Sequence, residues 1–419
     1  MQTLRRLVRL VFIVLVVYAS SEIGYRLYRY HKLLSAKTPQ LTHASSSFES
    51  PLDIFDSETG FAYKPNTHVH QRLYGPDGTP TPHVSSIVTN NFGLISAESS
   101  GVPKSRTEFR IAVIGDSFSA TTTSSLTWPT ALERSLNLDP ALPSLVGKKT
   151  FKVLNFGLDG TGFVQWPDVY RHKAEQFHPD MVIVNFMWSD PIRRYIYRDT
   201  IKVGDDDYAM VVCTSLPTSL ANPACQSARC FILDPGKADF QTKALRISQE
   251  IYEQEVRRLP WFSPHPELLA TLLNGRFGMK RRLVVQSDTA VLYDTQEEAF
   301  RVSLEALRQL AAMNSKMIVL FHPTVEQCLS KKVPEPVAEF MRQARDFKVV
   351  NMLDVLPLNN DQAEIRRWYN VPYDGHPSDY GAEVYARAVR EQLHAYWKNS
   401  PAFTNRSGNP ALTSENREH

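Results

Sequence analysis

The 419-residue chain is 42% apolar and 22% charged, the balance of a folded globular protein rather than a disordered one. Its 47 basic and 44 acidic residues leave a formal net charge of +3, which gives no reason to expect nucleic acid as a partner. The length is enough for one large domain or two ordinary ones.

A basic and then apolar segment opens the sequence. Three arginines precede an apolar run over residues 10–19, the pattern of an export or anchoring signal. Small residues at 19–21 suit cleavage of a signal peptide, whereas an uncleaved anchor needs residues 23–28 to extend the run to about 20 residues. Either reading predicts a signal or membrane anchor over residues 1–32, followed by a polar spacer over 33–50.

The main domain is predicted over residues 51–398. Aromatic residues between turn signals, near 60–66 and 88–94, predict short strands or loops beside a main sheet. Apolar strands separated by helix-length stretches then favour an α/β fold, with a parallel sheet covered by helices on both faces. The predicted strands lie near residues 110–115, 151–156, 180–186, 316–321 and 347–351.

An insertion is expected over residues 191–294, and it contains Cys213, Cys225 and Cys230. We expect at least one disulfide within this cluster, with Cys213 as the favoured member, while Cys328 lies far off in the sequence. A capping box formed by Thr295 and Glu298 then starts a helix. The polar tail over residues 399–419 is expected to be disordered.

A serine follows the first predicted strand of the sheet. Gly115, Asp116 and Ser117 end an apolar run, at the kind of strand end where ligand sites of open α/β sheets lie. Ser117 is therefore a candidate nucleophile, although Asp116 or Ser117 could simply cap the next helix. Near the other end of the chain, Asp374 and His376 are two residues apart, so in an extended loop both point the same way. The three side chains would form an acyl-transfer triad in the order Ser, Asp, His.

Rival chemistries find less support in the sequence. It contains neither a Gly-x-Ser-x-Gly elbow nor a phosphate-binding loop nor a His-Glu-x-x-His motif. Asp116, Asp190, His322 and His376 could gather at one sheet edge, but no compact metal-ligand spacing joins them. We therefore expect neither a metal nor an organic cofactor.

In these motifs the chain resembles the SGNH, or GDSL, hydrolase superfamily, in a membrane-associated or exported bacterial form, over residues 57–396. That family has four sequence blocks, which correspond here to residues 115–117, 155–162, 182–190 and 374–376. The resemblance assigns the nucleophile and one oxyanion N–H to Ser117, the general base to His376, and the orienting carboxylate to Asp374. It assigns a second oxyanion N–H to Gly160. The usual third-block asparagine is replaced by Ser189, which becomes a candidate oxyanion donor.

Two further residues, Asp190 and His322, are candidates for substrate contact. Asp190 follows Ser189 in the third block, and His322 ends another apolar strand, where a structural role is the other reading. Arg193 and Arg194, just beyond, could bind an anionic substrate group. The insertion that begins at Pro191 is expected to overhang the Ser117 pocket and to select substrate.

The resemblance implies a flavodoxin-like three-layer α/β/α sandwich of SGNH type and an esterase that acts on a carboxylic ester. A cell-envelope glycan that carries acetyl groups is the candidate substrate. Acyl transfer to a polysaccharide by the same triad and an inactive envelope-binding module both stay open, because the third block lacks its asparagine and the Asp-x-His spacing is short. The implied location is the inner membrane, by a single pass with the domain in the periplasm, or secretion after cleavage. No protein partner is indicated.

Overall fold

The computed structural model describes residues 2–35, 46–56, 58–74, 80–193, 195–202, 208–214, 296–358 and 361–399. Its strands are β1 (Ser46–Phe48), β2 (Asp53–Asp56), β3 (Gly60–Tyr63), β4 (His68–Tyr74), β5 (Pro80–Val88), β6 (Glu108–Gly115), β7 (Thr150–Asn155), β8 (Met181–Phe186), β9 (Ile196–Lys202), β10 (Tyr208–Thr214), β11 (Met317–Phe321) and β12 (Val349–Asn351).

Its α-helices are α1 (Gln2–Ser35), α2 (Ser117–Ala120), α3 (Trp128–Leu138), α4 (Leu142–Val146), α5 (Trp166–Val169), α6 (Gln296–Met313), α7 (Val325–Ser330), α8 (Glu335–Gln343), α9 (Gln362–Arg367) and α10 (Asp379–Asn399). Helix α5 continues as a π-helix, Tyr170–Ala174, and a 3₁₀ turn, Glu175–Phe177.

The main sheet is parallel and has the strand order β12-β11-β8-β6-β7. Counted along the chain within this sheet, the order is 2-1-3-4-5, which is that of the flavodoxin-like folds. The central strand β8 is buried at every position, as expected for a strand covered on both faces. The predicted fold class, and each of the five predicted strands, are confirmed.

Helices cover both faces of this sheet. Successive residues of β8 point to opposite faces. Asn185 bonds to Tyr385 of α10, and Phe186 packs against Phe340 of α8. Helices α3 and α10 therefore form one layer, since they contact each other, while α5, α6 and α8 form the other. The three-layer α/β/α arrangement follows.

A second sheet is antiparallel and has the order β5-β4-β1-β10-β9. It combines β1, β4 and β5 with β9 and β10 from the start of the insertion, because β1 pairs with both β4 and β10. Strands β2 and β3 form a separate two-stranded antiparallel sheet. Of the segments predicted near residues 60–66 and 88–94, the first contains β3, which pairs with β2, and the second begins where β5 ends. We call β1–β5, β9 and β10 the accessory strands.

Several sequence predictions concern the termini and the cysteines. Among the described residues, no helix has both the length and the apolarity needed to cross a membrane. Cys328 is a buried free thiol whose Sγ lies 3.2 Å from Tyr369 Oη. The expected disulfide of Cys213, Cys225 and Cys230, the cap at Thr295, Arg194 and the tail after Asn399 lie outside the described residues or side chains.

Candidate active site

Ser117 stands beyond the carboxyl end of β6, as the first residue of α2. A Cβ atom on Gly115 would lie 2.5 Å from the carbonyl oxygen of Asn185 and 2.5 Å from Ser119 Oγ, so glycine lets β6 end this close to β8. The Asp116 carboxylate caps α2 by accepting the N–H of Phe118 at 2.9 Å. Both interpretations of the motif therefore hold together, because Asp116 caps the helix while Ser117 is presented beside it.

The structure brings Ser117, His376 and Asp374 together in one hydrogen-bonded chain. His376 Nε2 lies 2.7 Å from Ser117 Oγ, and His376 Nδ1 lies 2.5 Å from Asp374 Oδ1. The backbone N–H of His376 donates to the same carboxylate oxygen at 2.7 Å. Because a carboxylate only accepts, Nδ1 carries the proton and Nε2 is left to accept from the serine hydroxyl. This is the geometry of an acyl-transfer triad.

The loop that carries His376 is tied to the segment after α2. Asn370 Nδ2 donates to Ser124 Oγ at 2.8 Å, and Ser124 Oγ donates to the carbonyl oxygen of Pro377 at 2.6 Å. The Asp379 carboxylate accepts the backbone N–H groups of the two residues after Ser124, at 2.9 and 2.8 Å. The two distant parts of the triad are therefore held in register by polar contacts on both sides of His376.

Two backbone N–H groups near the nucleophile have no hydrogen-bond partner within the described part of the chain, those of Ser117 and Gly160. The loop that carries Gly160 reaches the end of β6, since Leu158 N–H donates to the carbonyl of Gly115 at 3.0 Å. Gly160 has φ +74°, in the left-handed region that favours glycine. These are the two backbone donors that the resemblance assigns to an oxyanion hole.

Ser189 is buried, with 4% of its surface exposed, and its hydroxyl makes no hydrogen bond to any residue that the structure describes. A buried hydroxyl without a partner carries an energetic penalty of about 1–3 kcal/mol. The Ser189 hydroxyl is therefore available to donate to a bound substrate oxygen, which agrees with its candidate role in the oxyanion hole.

Asp190 and Arg193 form a buried ion pair. Asp190 is fully buried, accepts Met187 N–H at 2.8 Å through Oδ2, and lies 2.9 Å from Arg193 Nη1 through Oδ1. The same guanidinium nitrogen lies 3.2 Å from Asp116 Oδ2 and 3.0 Å from the carbonyl oxygen of Thr161. Arg193 thus joins residues of the first three sequence blocks beneath the surface. This burial lends no support to a contact of Asp190 or Arg193 with substrate, which stays a prediction.

Burial and the charges around Arg193 shift the pKa values of the two carboxyl groups that it contacts, Asp116 and Asp190. Burial raises the pKa of Asp116, although Arg193 opposes the shift. Burial, and then the charge of Asp116, hold the pKa of Asp190 well above its ordinary value. One guanidinium thus faces two carboxyl groups, and Asp190 is the one that favours its neutral form.

His322 belongs to a buried polar layer beneath α2. Its ring stacks on Tyr385 at 3.7 Å between centroids and lies 3.4 Å from Asn185 Nδ2. Asn185 also donates to Ser119 Oγ at 2.9 Å and accepts Tyr385 O–H at 2.7 Å. Burial, and then the charge of His376, hold the pKa of His322 well below its ordinary value, so it is neutral. With 2% of its surface exposed, His322 has the surroundings expected for its structural interpretation, and its contact with substrate stays a prediction.

Three carboxylates raise the basicity of His376. Burial alone lowers the pKa of His376, but Asp374, then Asp159 and Asp116, raise it to about 9. For Asp374, burial raises the pKa, but the contacts with His376 outweigh it and leave the pKa below its ordinary value. Asp159 is held in place by Thr122, whose hydroxyl donates to Asp159 Oδ2 at 2.8 Å.

A cavity of about 260 Å³ lies close to the triad but is distinct from it. It shares Gly157 and Leu158 with the loop that leads to Gly160, and no triad residue lines it. Much of its wall is aromatic, and its cationic residue Lys173 is already paired with Asp56 at 2.6 Å.

Sequence reasoning missed two residues that hold the Gly160 loop. Arg198 Nη1 donates to the carbonyl oxygen of Asp159 at 2.5 Å, and Tyr63 Oη accepts the N–H of Asp159 at 3.0 Å. Neither belongs to a motif. No local pattern in the sequence identifies either residue as a partner of this loop.

No protein-family model matches this sequence, and no curated protein matches it. Solved structures with a similar fold include a lipase/acylhydrolase from Enterococcus faecalis, at 11% identity over 68% of this chain and 96% of that chain, with a TM-score of 0.35. A GDSL-like lipase from Bacteroides thetaiotaomicron is 10% identical over 71% and 92%, with a TM-score of 0.30. An acetyl xylan esterase from Butyrivibrio proteoclasticus is 10% identical over 85% and 89%, with a TM-score of 0.31.

Proposed function

We propose that the protein is a serine-dependent hydrolase of carboxylic esters. The observation that carries the proposal is the chain of contacts from Ser117 Oγ to His376 and on to Asp374, at 2.7 and 2.5 Å. A serine is a weak nucleophile at its own pKa, and a hydrogen-bonded base oriented by a third group is what activates it. The unpartnered N–H groups of Ser117 and Gly160 supply the complementary part, since they can hold an oxyanion.

Acylation uses each of these groups. Ser117 Oγ attacks the carbonyl carbon of the ester while His376 Nε2 takes the hydroxyl proton. The carbonyl oxygen becomes an oxyanion held by the two N–H groups, with the Ser189 hydroxyl as a third donor. The tetrahedral intermediate then collapses, the C–O bond to the alcohol breaks, and His376 returns the proton to the leaving alcohol.

Deacylation repeats these steps with water as the nucleophile. His376 removes a proton from water, the hydroxide attacks the acyl carbon of the Ser117 ester, and collapse returns the proton to Ser117 Oγ. The carboxylic acid leaves. Asp374 holds the imidazole ring and stabilises its charged form in both halves.

The substrate we propose is an acylated glycan, with acetyl groups as the acyl part. Support comes from the short Asp-x-His form of the fourth block, which resembles that of membrane-associated polysaccharide-acetylating relatives. A sugar hydroxyl could then replace water in the second half-reaction, so acyl transfer is the second candidate. A location at the inner membrane or outside the cell rests on the N-terminal sequence pattern and stays a prediction.

The test compares the full-length protein with its Ser117→Ala variant, using an aryl acetate as substrate and a fluorophosphonate as covalent probe. We expect Ser117→Ala to lose acetate release by roughly 10⁶-fold, which is loss to background, and to lose labelling. Ser125→Ala is the matched control, because Ser125 lies on the same side of the fold but is exposed. It should behave as the wild type in both assays.

Acetylated oligosaccharides then separate the candidates. Free acetate that depends on Ser117 supports hydrolysis, whereas acetyl groups found by mass spectrometry on an added unacetylated glycan support transfer. A folded wild-type protein that shows neither labelling nor acetyl release would leave the inactive binding module as the surviving reading.

A further inference from the structure

The peptide unit between Asp159 and Gly160 is fixed from its carbonyl side. Arg198 Nη1 donates to the carbonyl oxygen of Asp159 at 2.5 Å. That carbonyl and the N–H of Gly160 belong to the same planar trans peptide, so they point in opposite directions. Whatever sets the direction of the carbonyl therefore also sets the direction of the Gly160 N–H.

Arg198 is itself held rigidly by the accessory strands. Its Nη2 lies 3.1 Å from Asp53 Oδ2 of β2, and its guanidinium lies 4.8 Å from the ring centroid of Phe61 of β3. The side chain is 4% exposed. A buried, paired and stacked guanidinium is pre-organised, because its planar fork loses little freedom when it forms another hydrogen bond.

Asp159 is also held through its backbone N–H and through Oδ2 of its side chain. Its N–H donates to Tyr63 Oη at 3.0 Å, and its Oδ2 accepts from Thr122 at 2.8 Å. Three separate elements thus hold the residue just before Gly160. None of these contacts uses the Gly160 N–H, which has no partner among the described residues.

We propose that Arg198 is a positioning residue that aims and polarises the Gly160 N–H of the oxyanion hole. Hydrogen bonds in a chain strengthen one another, and a charged donor on a carbonyl makes the N–H of the same peptide a stronger donor. The effect is largest when the substrate oxygen becomes negative, so it acts on the transition state more than on bound substrate. Arg198 thereby strengthens hydrogen-bond donation to the oxyanion in a chain where Ser189 stands in place of the usual third-block asparagine. This inference rests on the proposed esterase function.

The chain contains a matched control, Arg110 at the amino end of β6. Arg110 is also 4% exposed, pairs with an acidic residue, Glu108, and lies 5.9 Å from the ring centroid of Phe177. It also donates to backbone carbonyl oxygens, among them that of Phe177 at 2.9 Å. It lies about 17 Å along β6 from Gly115, far from the nucleophile. Replacement of Arg110 should therefore reproduce the structural cost without the catalytic one.

The test measures kcat and KM for aryl acetate hydrolysis, together with thermal unfolding, in full-length Arg198→Met and Arg110→Met. We expect Arg198→Met to lower kcat by about 10- to 100-fold with KM within about threefold, since a weakened oxyanion donor costs less than the 10²–10³ of a lost one. The rate of fluorophosphonate labelling should fall in parallel. Arg110→Met should keep wild-type kcat despite a loss of thermal stability at least as large, because Arg110 donates to four backbone carbonyl oxygens and Arg198 to one.

A second pair covers the case in which the methionine variants do not fold. Arg198→Lys keeps the charge but not the fixed fork, and Arg110→Lys makes the same change at the control site. We expect Arg198→Lys to lose roughly 3- to 10-fold in kcat, within the range of a single weakened hydrogen bond, and Arg110→Lys to lose none. Equal kcat losses in a matched pair, or wild-type kcat in either folded Arg198 variant, would overturn the inference. A wild-type protein without Ser117-dependent hydrolysis would instead overturn the proposed function, and the inference with it.

Discussion

The ionisation of His376 decides when the triad can work. Three carboxylates, those of Asp374, Asp159 and Asp116, favour its charged form and outweigh burial, so its pKa lies at about 9. A charged imidazole cannot accept the proton of Ser117. At neutral pH, therefore, only a small fraction of the protein carries a working base.

We predict a pH dependence that follows from this raised pKa. kcat/KM for an aryl acetate should rise about tenfold per pH unit through neutral pH and level off near pH 9, because deprotonation of His376 creates the active form. In Asp159→Asn, one of the carboxylates that raise the pKa is gone, so the rising limb should move to lower pH. An apparent pKa near the ordinary histidine value in the wild type, or no shift in Asp159→Asn, would contradict this account.

Individual residues differ in how far the sequence predicts them. Ser117, Asp374 and His376 could be predicted because nucleophile, carboxylate and base occur in short motifs with a recognisable local pattern. The burial of Asp190 and His322 could not be predicted, because polar residues at strand ends are often exposed. Only the packing of other elements over these two side chains buries them. Arg198 could not be predicted, since its carbonyl acceptor is 39 residues away and its acidic partner, Asp53, comes from an earlier strand.

At the scale of elements, the start of α10 fixes the position of the histidine loop. A Cβ atom on Gly381 would lie 1.9 Å from the carbonyl oxygen of Trp368, so the helix backbone and the segment before the loop are in direct contact. Ser378 N–H donates to the same carbonyl at 2.9 Å. Displacement of α10 would therefore displace His376, which lies between the two contact points.

We predict that Gly381→Ala is disruptive. The methyl group has to push α10 away from Trp368, which should lower the free energy of unfolding by about 1–3 kcal/mol and lower kcat as well. Gly375→Ala is the control for stability, because a Cβ atom there meets nothing within 4 Å. Its unfolding free energy should be unchanged or higher by up to about 1 kcal/mol. Chemical denaturation of both variants checks the contrast, and equal stabilities would refute it.

The positions of some strands can be predicted from the sequence, whereas the pairing of others cannot. Strands β6, β8 and β11 each contain an unbroken run of four or five apolar residues that marks their positions, whereas β7 and β12 have only two consecutive apolar residues. Strand β4 alternates buried with exposed residues, and β1 pairs with β4 and with β10, about 160 residues further on. Pairing at that distance is set by the whole fold, and no local pattern encodes it.

At the scale of the whole molecule, the alkaline pH that favours the active form of the triad also lowers the stability of the fold. The pKa of His376 is raised in the folded state, so its stabilising contribution is complete below the unfolded value of about 6.5 and is lost as pH rises through about 9. Asp190 also has a raised pKa, so its contribution is lost as pH rises above the ordinary aspartate value. Both groups make the folded protein less stable in alkali, where the triad is most active.

We predict a higher melting temperature at pH 6.5 than at pH 9.5. The contribution of His376 is on the order of 3 kcal/mol across this interval, which corresponds to several degrees for a protein of this size. Calorimetry at the two pH values measures the difference, and in His376→Gln most of it should disappear. A melting temperature that rises between pH 6.5 and 9.5 would show that other groups dominate.

The contact between Ser117 and His376 joins positions 259 residues apart, and this separation has a consequence for biosynthesis. A ribosome adds roughly 5–20 residues per second, so the serine emerges between about 10 and 50 seconds before the histidine. During that interval the nascent chain already contains its nucleophile and its oxyanion loop but no proton acceptor for them. If the proposed function holds, the growing polypeptide cannot hydrolyse esters until the segment around His376 has been translated.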